Sequence, residues 1–228
     1  MKGPTSEISS IKGNFTLGFF FAVSFSILTG LVVYGLADSI DVSIVRFWVS
    51  YSRELPKGVT IIFTYTDIPI YITFLYGLVY FVKEKSYHQA ISYLSIVVFS
   101  FTFYPLLKLI IARPRPTIFL FYRGNFAYPS GHATMSFAIF IGLYVVYYVY
   151  QMDHNYLYFS TLASAAVITA YSRIFIGFHY LTDIIGGFLL AATIVVLIPT
   201  IYQYPFIYKK IGSLGDHLEK NIFSRFRR

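Results

Sequence analysis

The chain has 228 residues, of which 57% are hydrophobic, 21% aromatic and only 12% charged. So few charges cannot cover the surface of a water-soluble protein of this length, which excludes an ordinary soluble domain. Cysteine is absent, so disulfides, thiolate catalysis and zinc–thiolate sites are excluded. The formal charge of +8 reads as orientation in a bilayer and contact with anionic headgroups, with no nucleic-acid partner expected.

The N-terminal arm, Met1 to Asn14, lacks a strongly basic leader and a small-residue cleavage site, so the first apolar run is expected to be a retained span. Six apolar segments follow in order: about Phe15 to Leu36, Val59 to Val82, Ala90 to Ile111, His132 to Tyr150, Tyr156 to Ile176 and Leu181 to Tyr202. Their lengths approach the 20 or so residues needed to cross hydrocarbon. The expected fold is therefore all-α: a polytopic integral membrane protein with six transmembrane helices, forming a single domain over 1–228. An even count puts both termini on one face. The basic ends, Lys2, Lys12, Lys209, Lys210, Lys220, Arg225, Arg227 and Arg228, make that face cytoplasmic. The opposite face still carries Arg46, Arg53, Lys57, Arg113, Arg115 and Arg123, an excess that suggests arginines retained for chemistry.

Between the first two segments, Ile40, Ile44, Phe47 or Trp48, Tyr51 and Leu55 recur at helical spacing, with Ser39, Ser43, Arg46, Ser50 and Arg53 opposite. The pattern near 38–55 predicts an amphipathic helix in the outer interface, as an anchor or a lid. In the tail, 204–228, Leu214, Leu218, Ile222 and Phe226 interleave with basic residues and suit a second surface helix on anionic lipid.

Three polar clusters interrupt the apolar pattern. In the first, Lys108 sits in the last turn of the third segment, where a lysine either snorkels to the interface or serves a site. Arg113 and Arg115 each precede proline, which stops the helix and holds the backbone extended, a setting suited to bidentate binding of phosphate. In the second, Tyr128-Pro129-Ser130-Gly131-His132, Ser130 can cap the following helix, whose free N–H groups then face an anion beside His132. Simple capping explains the same residues. In the third, Ser172-Arg173 is followed by His179 and Asp183. If the last helix starts near Phe178, the histidine and aspartate share a face, and the carboxylate can orient one imidazole nitrogen while the other attacks. A structural His–Asp pair is the alternative. Together, the clusters make a cationic cup for an anion, and phosphate fits its donors better than carboxylate.

These residues resemble the type 2 phosphatidic acid phosphatase (PAP2) superfamily. Its three motifs are lysine, six residues, Arg-Pro; Pro-Ser-Gly-His; and Ser-Arg, five residues, histidine, three residues, aspartate. They match Lys108 to Arg115-Pro116, Pro129 to His132, and Ser172-Arg173 with His179 and Asp183, without a gap. The resemblance implies a PAP2-like helical bundle with His179 as nucleophile, Asp183 orienting it, and His132 as acid and then base. It assigns Lys108, Arg115, Ser130, Gly131 and Arg173 to the substrate phosphate, with Arg113 left as a supporting cation outside the motif spacing. It also implies a metal-independent histidine phosphatase with no cofactor. The chain offers no clustered carboxylates for magnesium.

A site at the outer ends of membrane helices favours a phosphate carried on lipid. The first expectation is a phosphatase of polyprenyl diphosphates, undecaprenyl or dolichyl, acting in the plasma membrane through a phosphohistidine. A broad phosphatidic acid or phosphatidylglycerol phosphate phosphatase is the second reading, and a non-catalytic lipid phosphate transporter or sensor the third. The only transporter-like mark is Asp67 with Pro69 in the second segment.

Overall fold

The structure, a computed structural model, describes residues 4–54, 56, 58, 61, 65–66, 68–116, 126–150, 152 and 156–221. Its helices are α1 Pro4–Val33, α2 Asp38–Arg53, α3 Ile68–Lys83, α4 Tyr87–Ile111, α5 Gly131–Val149, α6 Tyr156–Phe175, α7 Leu181–Tyr202 and α8 Pro205–Asn221. Each of the six apolar segments contains one of these helices. Among the described residues, only α1 (over Lys12–Val33), α4, α5 and α7 are long and apolar enough to cross a membrane. Helix α3 has 16 residues, and α6 has 20 but carries Ser160, Thr161, Ser164, Thr169 and Ser172 along its length. Among the described residues there are therefore four candidate membrane-crossing helices plus shorter or more polar ones, and the count of six is not established. Most of the start of the expected second segment, including Asp67, lies outside the described residues, as do the last seven residues of the tail.

Helix α7 is the axis of the bundle, with α1, α4 and α5 packed around it. Small residues decide how closely. A Cβ on Gly187 would stand 2.8 Å from the Ser130 carbonyl and 2.9 Å from the Ala133 side chain, so the first turn of α5 seats directly on the backbone of α7. Further along α5, a π-helical turn spans Phe137–Ile141. The buried Tyr93 hydroxyl of α4 donates to the Ile139 carbonyl there at 3.1 Å, so this carbonyl keeps a partner despite the altered helix register.

Helix α2 forms where the sequence predicts an amphipathic helix, but its packed face is not the expected stripe. Asp41, Val45, Val49 and Ser52 are buried, whereas Ile40, Phe47 and Tyr51 are more than half exposed. The helix has three faces. One packs on α6 and α7, with Trp48 edge-on to Tyr171 at 5.2 Å; one is apolar and outward; one is polar. The buried ion pairs of Asp41, described below, set this rotation.

The three polar clusters lie at one end of the bundle, formed by the end of α4, the start of α5, the end of α6 and the start of α7. Helix α8 packs at the other end, against the start of α4, where the His88 ring stacks on Tyr208 with centroids 3.9 Å apart. Substitution Gly187→Ala is expected to cost about 1–3 kcal/mol by forcing α5 off α7, read as a lowered thermal midpoint in detergent; an unchanged midpoint would show that the close contact is not needed.

Candidate active site

The site begins where α4 stops. Ala112 takes a left-handed conformation (φ 52°) and returns its N–H to the Lys108 carbonyl, and Pro114 forbids further helix. The chain beyond Arg113 is held by a bridge between Pro114 and Phe126 and by a 2.7 Å bond from the Ala127 N–H to the Arg113 carbonyl. Lys108 does not snorkel away: its Nζ donates to the Phe126 carbonyl at 3.1 Å, inside this loop. Arg115 Nη1 donates to the Phe178 carbonyl at 2.9 Å and stands 3.5 Å from His179 Nε2. The Arg115 Nε is buried without a hydrogen-bond partner, a donor left for a ligand.

The second cluster is the entry to α5. Ser130 is the N-cap and its Oγ accepts from the Ala133 N–H at 3.4 Å, as the capping reading expects. Its own N–H donates to the Asp183 carbonyl at 3.0 Å, which ties this turn to the start of α7. Gly131 opens the helix beneath the Tyr104 ring, which a Cβ would strike at 2.7 Å. His132 follows, half-buried, on the first turn.

The third cluster turns from α6 into α7. Gly177 has φ +77°, and the Phe178 and His179 N–H groups both return to the Arg173 carbonyl at 2.9 and 3.2 Å. Arg173 is fully buried; its Nε donates to Ser172 Oγ at 3.0 Å and its Nη2 to Thr66 Oγ1 at 2.5 Å. His179 Nδ1 and Asp183 Oδ2 lie 3.2 Å apart. The route to that pair differs from the expected shared helical face. Helix α7 starts only at Leu181, and Asp183 folds back over the N-terminus, its Oδ2 also accepting from the Tyr180 N–H at 2.8 Å. The carboxylate thus caps the helix and holds the imidazole with one oxygen.

Burial, then the positive fields of Lys108, Arg115 and Arg173, push His179 well below the ordinary imidazole range, so the ring is neutral near pH 7. An ionised Asp183 only accepts, so the Nδ1 beside it carries the proton and Nε2 presents a lone pair. The same three cations and His179 act electrostatically on His132. All eight expected residues, Lys108, Arg115, Ser130, Gly131, His132, Arg173, His179 and Asp183, therefore lie at one end of the bundle.

Arg113 does something else. Its Nη1 donates to Thr182 Oγ1 (2.7 Å) and Asp183 Oδ1 (2.8 Å), and its Nη2 to Asp38 Oδ1 (3.0 Å) and Asp41 Oδ2 (2.8 Å). With those donors engaged and only 7% of its side chain exposed, it is a partner of carboxylates and not a phosphate ligand. Burial opposes its charge, but Asp183 and Asp41 outweigh this and hold its pKa above the ordinary arginine value. Three carboxylates thus converge, though on a guanidinium and not on an open cation site. Asp41, Thr66 and Thr182 were not singled out from the sequence. An acid at the edge of an amphipathic face was the available signal for Asp41, and nothing marked the two threonines.

Arranged this way, the residues can hold a tetrahedral anion among buried cations and a helix N-terminus, against a neutral, oriented imidazole. A solved structure described as the first transmembrane PAP2 type phosphatidylglycerolphosphate phosphatase from Bacillus subtilis shares the fold. Its TM-score is 0.65 at 19% identity, over 80% of this chain and 94% of that one. A curated relative, phosphatidylglycerophosphatase B of Bacillus subtilis (strain 168), is 29% identical over 96 residues, which are 40% of this chain and 47% of the relative. The match spans about half the relative's length. The PAP2 superfamily model covers residues 89–207, from α4 to the start of α8, and on that match the chain belongs to the PAP2 superfamily.

Proposed function

We propose that the protein is a membrane lipid phosphatase that works through a phosphohistidine at residue 179. The observation that carries this reading is the His179–Asp183 pair at 3.2 Å, with Nε2 3.5 Å from an arginine that keeps a buried, unpartnered donor. A phosphoryl group bound by Lys108, Arg115, Arg173, Ser130 and the Gly131 N–H would present phosphorus to Nε2. Attack forms the P–N bond and breaks the P–O bond to the lipid, and His132 gives its proton to the departing oxygen. His132 then takes a proton from water, whose oxygen displaces the imidazole and releases orthophosphate. Asp183 holds the Nδ1 proton throughout, and the arginines and lysine carry the charge on the phosphoryl oxygens.

The substrate carries its phosphate on a lipid, because the site sits at the end of apolar helices and not in a soluble cleft. The relatives' names favour phosphatidylglycerol phosphate as the first lipid to test. Polyprenyl diphosphate remains the reading by family analogy. The polar end faces outward in the plasma membrane on this account, with both termini cytoplasmic.

Purified protein in detergent with a chelator is expected to release phosphate from at least one of phosphatidylglycerol phosphate, phosphatidic acid and a polyprenyl diphosphate, and His179→Ala to lose at least about 10³-fold in kcat, the scale of losing a nucleophile. Anion binding without release from any lipid would move the reading to a transporter or sensor.

The pH profile follows from the histidines. Attack requires neutral His179, and its pKa is depressed, so activity is present above that pKa and lost as pH falls through it. The acid limb of kcat/KM is expected below about 6.5, the ordinary imidazole value; a limb above that value would contradict the assignment. A basic limb is expected where His132 loses the proton it must donate.

A further inference from the structure

Arg113 lies in the first polar cluster but outside its motif spacing, and its side chain donates to four oxygens at that end of the molecule. Arg113 is buried between Asp183 of α7 and Asp41 of the interfacial helix α2, and it lies over the Tyr180 ring at 4.2 Å. Asp41 has no exposed surface. Its Oδ1 accepts from the Thr182 N–H at 3.1 Å, and its Oδ2 accepts from Arg113 Nη2 and from the Thr182 hydroxyl. The Thr182 N–H is among the first of α7 and has no partner within its own helix, so Asp41 caps α7 from a different helix.

Both carboxylate oxygens of Asp41 and of Asp183 are used. Asp183 gives Oδ1 to Arg113 and Oδ2 to His179 and Tyr180, so it cannot rotate without breaking a charge-assisted bond. Arg113 in turn cannot move, because Asp41 and Asp38 hold its other nitrogen and the Ala127 N–H holds its carbonyl. The planar fork of arginine is what lets one residue bridge two carboxylates at fixed angles.

We propose that Asp41 and Arg113 are positioning residues of this reaction: through Asp183 they fix the angle at which His179 meets phosphorus, and so make α2 a working part of the site. This rests on the phosphatase reading. An interfacial anchor would need the outward apolar face of α2; it would not need a fully buried carboxylate wired to the aspartate that orients the nucleophile. Three carboxylates against one guanidinium also leave net negative charge behind the imidazole, opposite the cations on its other side. The charged and titratable groups facing His179 are Lys108 from α4, Arg115 from the loop, His132 from α5, Arg173 from α6 and Asp183 from α7, with Arg113 and Asp41 behind Asp183.

The test compares wild type, Asp41→Asn and Arg113→Lys by steady-state kinetics on phosphatidylglycerol phosphate, and by NMR titration of ¹⁵N-labelled histidines with His179→Ala to assign the ring. Asp41→Asn removes a negative charge at constant shape. It is expected to lower kcat about 10²-fold through misplacement of the nucleophile, to leave KM within about threefold because the phosphate ligands are untouched, and to move the His179 titration to lower pH. Arg113→Lys keeps the charge but loses the fork, so kcat falls while the titration stays near wild type. If Asp41→Asn does not fold, Arg113→Lys carries the test through its kcat. Wild-type kcat in folded variants, or a loss confined to KM, overturns the proposal while leaving the phosphatase reading intact. If wild type releases no phosphate from any lipid, the phosphatase reading fails, and the His179 titration in Asp41→Asn alone decides whether the coupling exists.

Discussion

Like charges brought together in a poorly solvated place repel one another, and the polar end of this bundle is built around that constraint. Lys108, Arg115 and Arg173 all act on His179, and the hydrogen bonds described above for them run to neutral groups and not to carboxylates. Carbonyls and hydroxyls hold them instead: Phe126 for Lys108, Phe178 for Arg115, Ser172 and Thr66 for Arg173. Neutral acceptors fix the geometry without cancelling the charge. On the proposed function a phosphoryl group would bring the negative charge, and burial first, then these cations, keeps His179 deprotonated near pH 7.

The carboxylates are kept apart from these cations by the same logic. Asp183, Asp41 and Asp38 converge on Arg113. Had Asp183 paired with Arg115 instead, the imidazole would lose its orienting partner and the anion pocket one of its donors. Arg113, neutralised by carboxylates, is thereby kept apart from Lys108, Arg115 and Arg173 beside His179, and this segregation has chemical consequences. It is enforced by backbone: the left-handed Ala112 and the Pro114–Phe126 bridge point Arg113 and Arg115 to different neighbours.

Much of this was legible in the sequence because the informative residues are of types that apolar helices do not tolerate idly. Lysine, arginine, histidine and aspartate at helix ends marked the site, and proline and glycine marked where those helices had to stop. Long apolar runs located the helices, and their bounds within a few residues except at the starts of α1, at Pro4, and α3, at Ile68. What the sequence concealed lay in contacts between distant segments. The periodicity of α2 identified a helix but not which of its two apolar faces docks, since that was decided by Asp41 reaching Arg113 some 70 positions away. Likewise the spacing of His179 and Asp183 suggested a shared helical face, whereas the pair forms by a carboxylate folding back over a helix start one residue beyond Tyr180. Thr66 sits in a stretch with no pattern, yet holds Arg173.

The claim on which the account turns is covalent chemistry at one nitrogen. Rapid quench of the protein with lipid substrate labelled in its terminal phosphate, followed by digestion under alkaline conditions that preserve phosphohistidine and mass spectrometry of the peptides, tests it most directly. The account predicts a phosphoryl group on His179, absent from His179→Ala and accumulating when His132 is replaced by alanine and water activation is slowed. Turnover with no phosphoryl enzyme at any quench time, or with the group on His132, would contradict it.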